Sequence, residues 1–475
     1  MDRRAFLKTG AAGAAIALAD NFANAASAPS QNSSGTMQPN IIWLFGDQHR
    51  AQALSCMGDS NVSTPNIDAL AGNGVHLDHA ISSMPLCCPF RGSLITGCYP
   101  HKSVPGHEYP LPTGTPTIVD PLKAAGYHTG YFGKWHLDGW HERDGRAAMH
   151  IVPPDRRFGF DKWIGYENNN LQYDSWVHGG EGDKAFHYKL PEYETDALTN
   201  LFIDHLQERS KEPGNPFFAV LSVQPPHNPY VAPPEYMARH KAEDIKLRPN
   251  VPDVKRIIER VRPELAGYYA QIENLDWNIG RIRKVLAETG LDKNTYIFFF
   301  SDHGDMHGSH GQFHKTTPYE ESIRIPLIIS GGVNTRPLKK GTDHSIMSQV
   351  DFAPTTLGLA GLQKPESMQG TDYSRHLFDG KETKADPETA FIQSVVPTGH
   401  GDSVDHPWRG IVTRDGWKYV CFKGVPWLMF NLNEDPYEQV NLAHNTKFKG
   451  PRKRLNAKLA EWIEKTDDKF ELPAF

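Results

Sequence analysis

Asn40-Ile41-Ile42-Trp43-Leu44-Phe45-Gly46-Asp47 is a compact apolar run that ends on a glycine and a carboxylate. An unbroken apolar run of this length, with no alternating polar side, is the pattern of a strand buried on both faces. Such strands sit in parallel sheets covered by helices, and ligands gather beyond their C-terminal ends. The same pattern recurs after Asn215-Pro216 at residues 217–223, and at 295–300, which leads into Ser301-Asp302-His303-Gly304. Residues 127–132 and 325–329 also read as strands.

Helical patterns separate these runs. Thr64-Pro65-Asn66-Ile67-Asp68-Ala69-Leu70 has a cap residue, proline at the first helical position and a short amphipathic stretch. Residues 121–125 form another short helix, closed by Gly126. The longest helix is predicted from Pro263 to about Thr289, with Gly290 as its stop and an apolar stripe through Leu265, Tyr269, Ile272, Ile279 and Leu286. A further helix is expected at 351–359. The alternation implies an α/β fold: a large, mostly parallel sheet sandwiched by helices.

Beyond residue 375 the pattern changes to short strands at 410–412, 417–422 and 427–432, then a charged helix at 451–465. This predicts a catalytic domain over 38–375 and a smaller antiparallel-sheet subdomain over 376–475. Residues 139–200 and 225–260 are weakly periodic and are expected to form loops over a site.

The N-terminus, Asp2-Arg3-Arg4-Ala5-Phe6-Leu7-Lys8 before an Ala/Gly-rich run at 11–19, reads as a twin-arginine export signal. Ala23-Asn24-Ala25 offers its cleavage site. The apolar run is well short of the ~20 residues a spanning helix needs, so no stable membrane span is expected. Residues 1–25 are the signal and 26–37 an unstructured leader, with a bacterial periplasmic or secreted destination and the twin-arginine translocase as a partner. A net charge of -6 provides no global basic field, which argues against nucleic acid and leaves anion binding to local cations.

The five cysteines are Cys56, Cys87, Cys88, Cys98 and Cys421. An odd number in an exported chain leaves at least one thiol unpaired or altered. The vicinal pair Cys87-Cys88 lacks the C-x-x-C spacing of a zinc site. Asp47 and Asp302, at the ends of distant strands, repel each other unless a cation lies between them.

Leu86-Cys87-Cys88-Pro89-Phe90-Arg91 continues to Thr96-Gly97 and Tyr99-Pro100. It resembles the signature of the type I sulfatases of the alkaline phosphatase-like superfamily, whose signature cysteine is oxidised to formylglycine. Only Cys87 has proline at +2 and arginine at +4. Phe90 stands where the family has a small residue. The resemblance extends to the first strand with Asp47, to Thr64–Asp68, to Gly133-Lys134-Trp135-His136, to Pro225-Pro226-His227, to Ser301-Asp302-His303-Gly304 and to Lys315.

What it implies is a sulfatase that cleaves a sulfate monoester, expected on a carbohydrate, to alcohol and sulfate. Cys87 becomes formylglycine (3-oxoalanine), through a formylglycine-generating or radical maturase enzyme. The metal ligands implied are Asp47, Gln48, residue 87, Asp302 and His303. One divalent ion is expected, calcium favoured and manganese the alternative that the imidazole suggests. In the family mechanism one hydroxyl of the hydrated aldehyde attacks sulfur, and the second loses a proton to release sulfate. Arg91 holds the nucleophile, Lys134 and Lys315 bind sulfate oxygens, and His136 takes the proton of the second hydroxyl. His227 or Lys315 serves the leaving oxygen.

Two departures, Gln48 for a second acid and His303 for asparagine, also occur in relatives that cleave phosphonate or phosphate esters, which is the competing reading. A third is a non-catalytic binder of sulfated glycans, should Cys87 stay unmodified. Gly165–Asn170, 176–178 and His107-Glu108-Tyr109 combine aromatic and amide groups that suit sugar rings.

Overall fold

The Asn40–Gly46 run is strand β1, and every residue in it is buried. Its alternation sorts the side chains between two cores. Ile41, Trp43 and Phe45 join one apolar cluster, and Ile42 and Leu44 join the other. The structure, a computed structural model, describes residues 37–380, 386–399 and 404–475. The expected signal at 1–25 and nearly all of the 26–37 leader lie outside the described residues. Gln38–Phe475 forms one unit.

The main sheet has ten strands: β1, β2 (Gly74–Ile81), β3 (His128–Lys134), β4 (Lys162–Tyr166), β5 (Trp176–Gly179), β6 (Phe186–Lys189), β7 (Phe217–Val223), β8 (Thr295–Ser301), β9 (Leu327–Gly331) and β10 (Gly341–Ser348). Their order is β10-β2-β9-β8-β1-β7-β3-β4-β5-β6. The central five, β8-β1-β7-β3-β4, are parallel. Their C-terminal ends therefore open on one edge. Strand β9 runs antiparallel to both β8 and β2, so β2 also points toward that edge.

Helices cover both faces, as expected. Cys87–Thr96 and Phe352–Leu359 pack on the Trp43 side, and Glu194–Ser210 and Lys255–Thr289 on the Leu44 side. Trp43 is fully buried, with its ring 4.9 Å from Phe218 and its indole nitrogen donating to Thr356 at 3.1 Å. Trp43→Ala is expected to cost about 3–5 kcal/mol in urea unfolding; a loss below about 1 kcal/mol would mean the two-sided burial of β1 does not carry the sheet.

Three expectations need correction. The long helix begins at Lys255, with Pro263 inside it rather than at its start. Ile257 and Val261 pack against Ala53, Val62 and Phe313, and that burial outweighs the hydrogen bond proline cannot make. Residues 139–200 are not all loop: they hold β4, β5, β6 and the start of the Glu194 helix. Strands β5 and β6 form the sheet margin, where β6 is largely exposed and lacks an apolar rhythm. The strand at 325–329 is β9, shifted to 327–331 and antiparallel.

The C-terminal sheet has four antiparallel strands, β11 (Thr389–Ser394), β12 (Trp408–Thr413), β13 (Trp417–Phe422) and β14 (Val425–Asn431). Strand β11 was not among the expected ones. The helix Lys449–Lys465 seals this sheet with Leu455, Leu459 and Trp462. Ile392, Trp408 and Val420 pack against Ile81, Ile323 and Ile346 of the larger layer. Among the described residues, no helix is long and apolar enough to cross a membrane.

Candidate active site

Register sets the first pair of acids. Gly46 of β1 pairs with Ser301 of β8, so the next residues, Asp47 and Asp302, leave adjacent strand ends side by side. Cys87 reaches them from the other direction: β2 ends at Ile81, and the chain turns to start the Cys87–Thr96 helix. Its sulfur lies 3.4 Å from Asp47 Oδ1, 3.2 Å from His303 Nε2 and 3.3 Å from Lys315 Nζ. Residues four apart share a helix face, so Arg91 follows Cys87 into the same place. Its guanidinium donates to the Lys134 carbonyl at 2.7 Å, Ser222 at 2.8 Å, and Asp47 and Asp302 at 3.3 Å each. Phe90 turns instead into the core, 6.3 Å from Phe300, and is fully buried.

Lys134, at the end of β3, donates to Asp47 Oδ2 at 2.7 Å. Gly133 makes this possible: its φ is +103°, and a Cβ there would sit 2.0 Å from the Ser222 carbonyl. Lys315 donates to Gln48 Oε1 and lies 3.1 Å from His227 Nε2. His227 Nδ1 faces the Asn228 carbonyl at 2.6 Å, which leaves Nε2 to accept from Lys315. Gln48, His136, His314 and Thr316 all have positive φ, so non-glycine backbone strain concentrates around the site.

Burial opposes the charge on Asp47, yet Lys134 and Lys315 hold its carboxyl well below the usual carboxylate range. Burial and the Asp47 charge push Asp302 up to about 7. Burial and the cations hold His136 and His227 well below an ordinary imidazole, so both are neutral near pH 7. Burial would lower Lys315, but Cys87 and Asp47 raise it above its ordinary value.

Asp47, Cys87, Asp302 and His303 each bring one donor atom within 4.8 Å of the others. Oδ2 of each acid faces Arg91, which leaves Oδ1 of each 3.5 and 3.6 Å from His303 Nε2. Two carboxylate oxygens and an imidazole fit a divalent cation, whose charge would offset part of what burial and Asp47 do to Asp302. The Gln48 amide oxygen accepts from Lys315 at 3.1 Å.

Gln48, Cys87, Lys134, His227 and Lys315 line a cavity of about 290 Å³, whose walls also include His107, His136, Asn168, Asn170, Asn228 and His314. Of the expected sugar-facing segments, Asn168, Asn170 and His107 reach this cavity. His178 does not: it is a buried residue of β5 itself and accepts from the Val152 N–H at 2.8 Å.

With this geometry in view, the family follows. The family described as Sulfatase matches residues 39–362. This chain belongs to the sulfatase family. A second family, described as N-sulphoglucosamine sulphohydrolase, C-terminal, matches residues 308–465 of the sulfatase. The enzyme is a sulfuric ester hydrolase, 34% identical over 439 residues to the Ulvan-active sulfatase of Formosa agariphila, with 91% of this chain and 83% of that protein covered. The solved YidJ sulfatase of Bacteroides fragilis is 30% identical with a TM-score of 0.82, covering 93% of this chain and 98% of its own. A structure in complex with its substrate, D-glucosamine-2-N,6-O-disulfate, is 25% identical with a TM-score of 0.79, covering 91% and 99%. The family generally uses a metal and formylglycine.

Two buried acids that hold the site of this sulfatase were not among the expected residues. Asp305 Oδ2 accepts from Gln48 Nε2 and from the Tyr230 hydroxyl, both at 2.6 Å, which turns the Gln48 oxygen toward Lys315. Asp305 lies three residues beyond Asp302, and that spacing was its only signal. Glu167, just past β4, accepts from the backbone N–H groups of Leu137, Asp138 and Gly139, so it pins the turn that carries Lys134 and His136.

Burial pushes Glu167 up to about 7. Because the folded value exceeds the unfolded one, the folded protein keeps a proton here that the unfolded chain releases. The stability Glu167 adds is full below about pH 4.5 and is lost as pH rises through 7. Glu167→Gln is expected to cost about 1–3 kcal/mol, since an amide NH₂ meets backbone donors. Urea unfolding of both proteins across that window checks it: the gap should narrow with rising pH, and a widening gap would refute the assignment.

Proposed function

We propose that this sulfatase hydrolyses a sulfate monoester on a carbohydrate, using formylglycine made from Cys87 and one divalent metal. The single observation that carries the reading is the Cys87 sulfur within 3.4 Å of a buried carboxylate, an imidazole and a buried lysine. The modified residue supplies a geminal pair of hydroxyls as nucleophile and release group. Asp47, Gln48, residue 87, Asp302 and His303 would hold the metal, calcium favoured, which would supply Lewis-acid polarisation of the sulfate oxygens and of the hydroxyl.

The chain's own residues supply the rest. Arg91 and Lys134 neutralise Asp47 and Asp302 and fix the floor on which the anion sits. Lys315 keeps its proton while His227, beside it, is neutral, so Lys315 is the better donor to the leaving oxygen and His227 orients it. His136, neutral and facing the cavity, is the base for the second hydroxyl.

Carbohydrate is favoured by the amide walls, Asn168, Asn170 and Asn228, and by the disulfated glucosamine bound by the related structure. The twin-arginine pattern supports export to the periplasm or beyond, with the translocase and a formylglycine-forming maturase as transient partners.

Mass measurement of the peptide over residues 80–100 tests the nucleophile: an aldehyde at residue 87 is expected, and an intact thiol in active enzyme would sink it. Gln48 and His303 make phosphonate the rival ester. Parallel turnover of matched aryl sulfate, phosphate and phosphonate esters decides between them, and a large preference for phosphonate would overturn sulfate.

A further inference from the structure

Next to the Cys87 centre lies a second group of metal-ligating side chains drawn from different residues. Cys88, His107 and His136 each bring one donor atom within 4.8 Å of the other two. Consecutive helix residues diverge by about 100°, so Cys88 leaves the Asp47 side and meets the 107–108 segment instead. Its sulfur accepts from the Glu108 N–H at 3.4 Å. His136 is 2% exposed, and its Nδ1 is buried without a hydrogen-bond partner. The His107 and His136 rings meet edge to face with centroids 5.6 Å apart, and both line the cavity. Glu108 lies 3.6 Å from His107 Nε2 and is itself held by His141 at 2.6 Å, giving the ring the carboxylate neighbour that metal-bound imidazoles use.

We propose that Cys88, His107 and His136 form a site for zinc, and that its occupancy switches the enzyme off by engaging His136. The donor set is the argument for the metal. One thiolate and two imidazoles are soft ligands that suit zinc in a four-coordinate shell, with the fourth position open to the cavity. The neighbouring Asp47–Asp302–His303 group is richer in oxygen, so the two centres differ in hardness and select different ions. Tetrahedral zinc sets thiolate and imidazole donors about 3.5 Å apart, and the three donor atoms here lie within 4.8 Å of one another.

The protonation states set the cost. His136 is held neutral by burial and Lys134, so its lone pair is available. The zinc–sulfur bond forms as the sulfur–hydrogen bond of Cys88 breaks, with one proton passing to solvent.

The inhibitory part rests on the proposed role of His136; the site itself does not. Binding is therefore measured on the full chain carrying Cys87→Ala, with cobalt(II) as the probe. A thiolate-to-cobalt charge-transfer band is expected, lost when Cys88→Ser is added and weakened about 100-fold in affinity by His107→Ala. Cys88→Ala, which removes the thiol but keeps an apolar side chain, serves where the serine variant does not fold. A band unchanged without the Cys88 sulfur overturns the site. On calcium-saturated enzyme whose Cys87 has been converted to formylglycine, zinc is expected to inhibit ester turnover. Cys88→Ser should raise the zinc midpoint about 100-fold with the zinc-free rate unchanged. Cobalt binding at Cys88 without zinc inhibition would refute the switch, and an equal midpoint in both proteins would refute it too.

Discussion

Replacing Cys87 by alanine is expected to abolish ester hydrolysis, lowering turnover at saturating substrate by about 10⁴-fold or more. The sulfur marks where three separate lines of chain converge: Asp47 from β1, His303 from β8 and Lys315 from the loop beyond it. Alanine leaves all of them in place and removes only the atom from which a nucleophile can be made. Folding should survive, because one buried sulfur is lost from an otherwise unchanged helix start, at a cost of about 1 kcal/mol. Turnover of an aryl sulfate and urea unfolding, measured on the same preparation, separate the two effects. A variant that is folded and still active would remove Cys87 from the chemistry.

Arg91→Ala should cost as much stability as Trp43→Ala, about 3–5 kcal/mol, because it strands two buried carboxylates without their shared cation. Arg91 is 2% exposed and touches Asp47, Asp302, Ser222 and the Lys134 carbonyl at once. Burial, with the Asp47 charge beside it, already pushes Asp302 up to about 7. Adding Asp302→Asn to Arg91→Ala should therefore recover part of the loss, and a double-mutant cycle reads the coupling directly. Purely additive losses in urea unfolding would mean that Arg91 acts by packing on Phe45, 5.1 Å away, rather than by charge.

Strand order in the sheet differs from strand order in the chain, which limits how much of the site is legible in the sequence. Asp47, Lys134, Asp302 and His303 all follow or end apolar runs, so an edge of strand termini is legible from the sequence alone. Their neighbours could not be predicted, since β1 lies between β7 and β8, far apart in sequence. Asp305 and Glu167 were invisible for another reason. Each is an acid in a loop, and only the donors converging on it reveal what it holds. The hairpin of β5 and β6 escaped notice because marginal strands with exposed sides carry no apolar rhythm.

By itself, the order of residues determined that this protein has a two-sided sheet and that Cys87, not Cys88, carries the proline and arginine of the family signature. Those facts depend on local composition and spacing, which need no partner. Only the tertiary structure decided what each residue of the vicinal pair faces. One helical step of rotation points Cys87 at Asp47, His303 and Lys315, and points Cys88 at His107 and His136. Burial then set the charges, because the distant strands that bring the cations together also exclude the water that would have screened them.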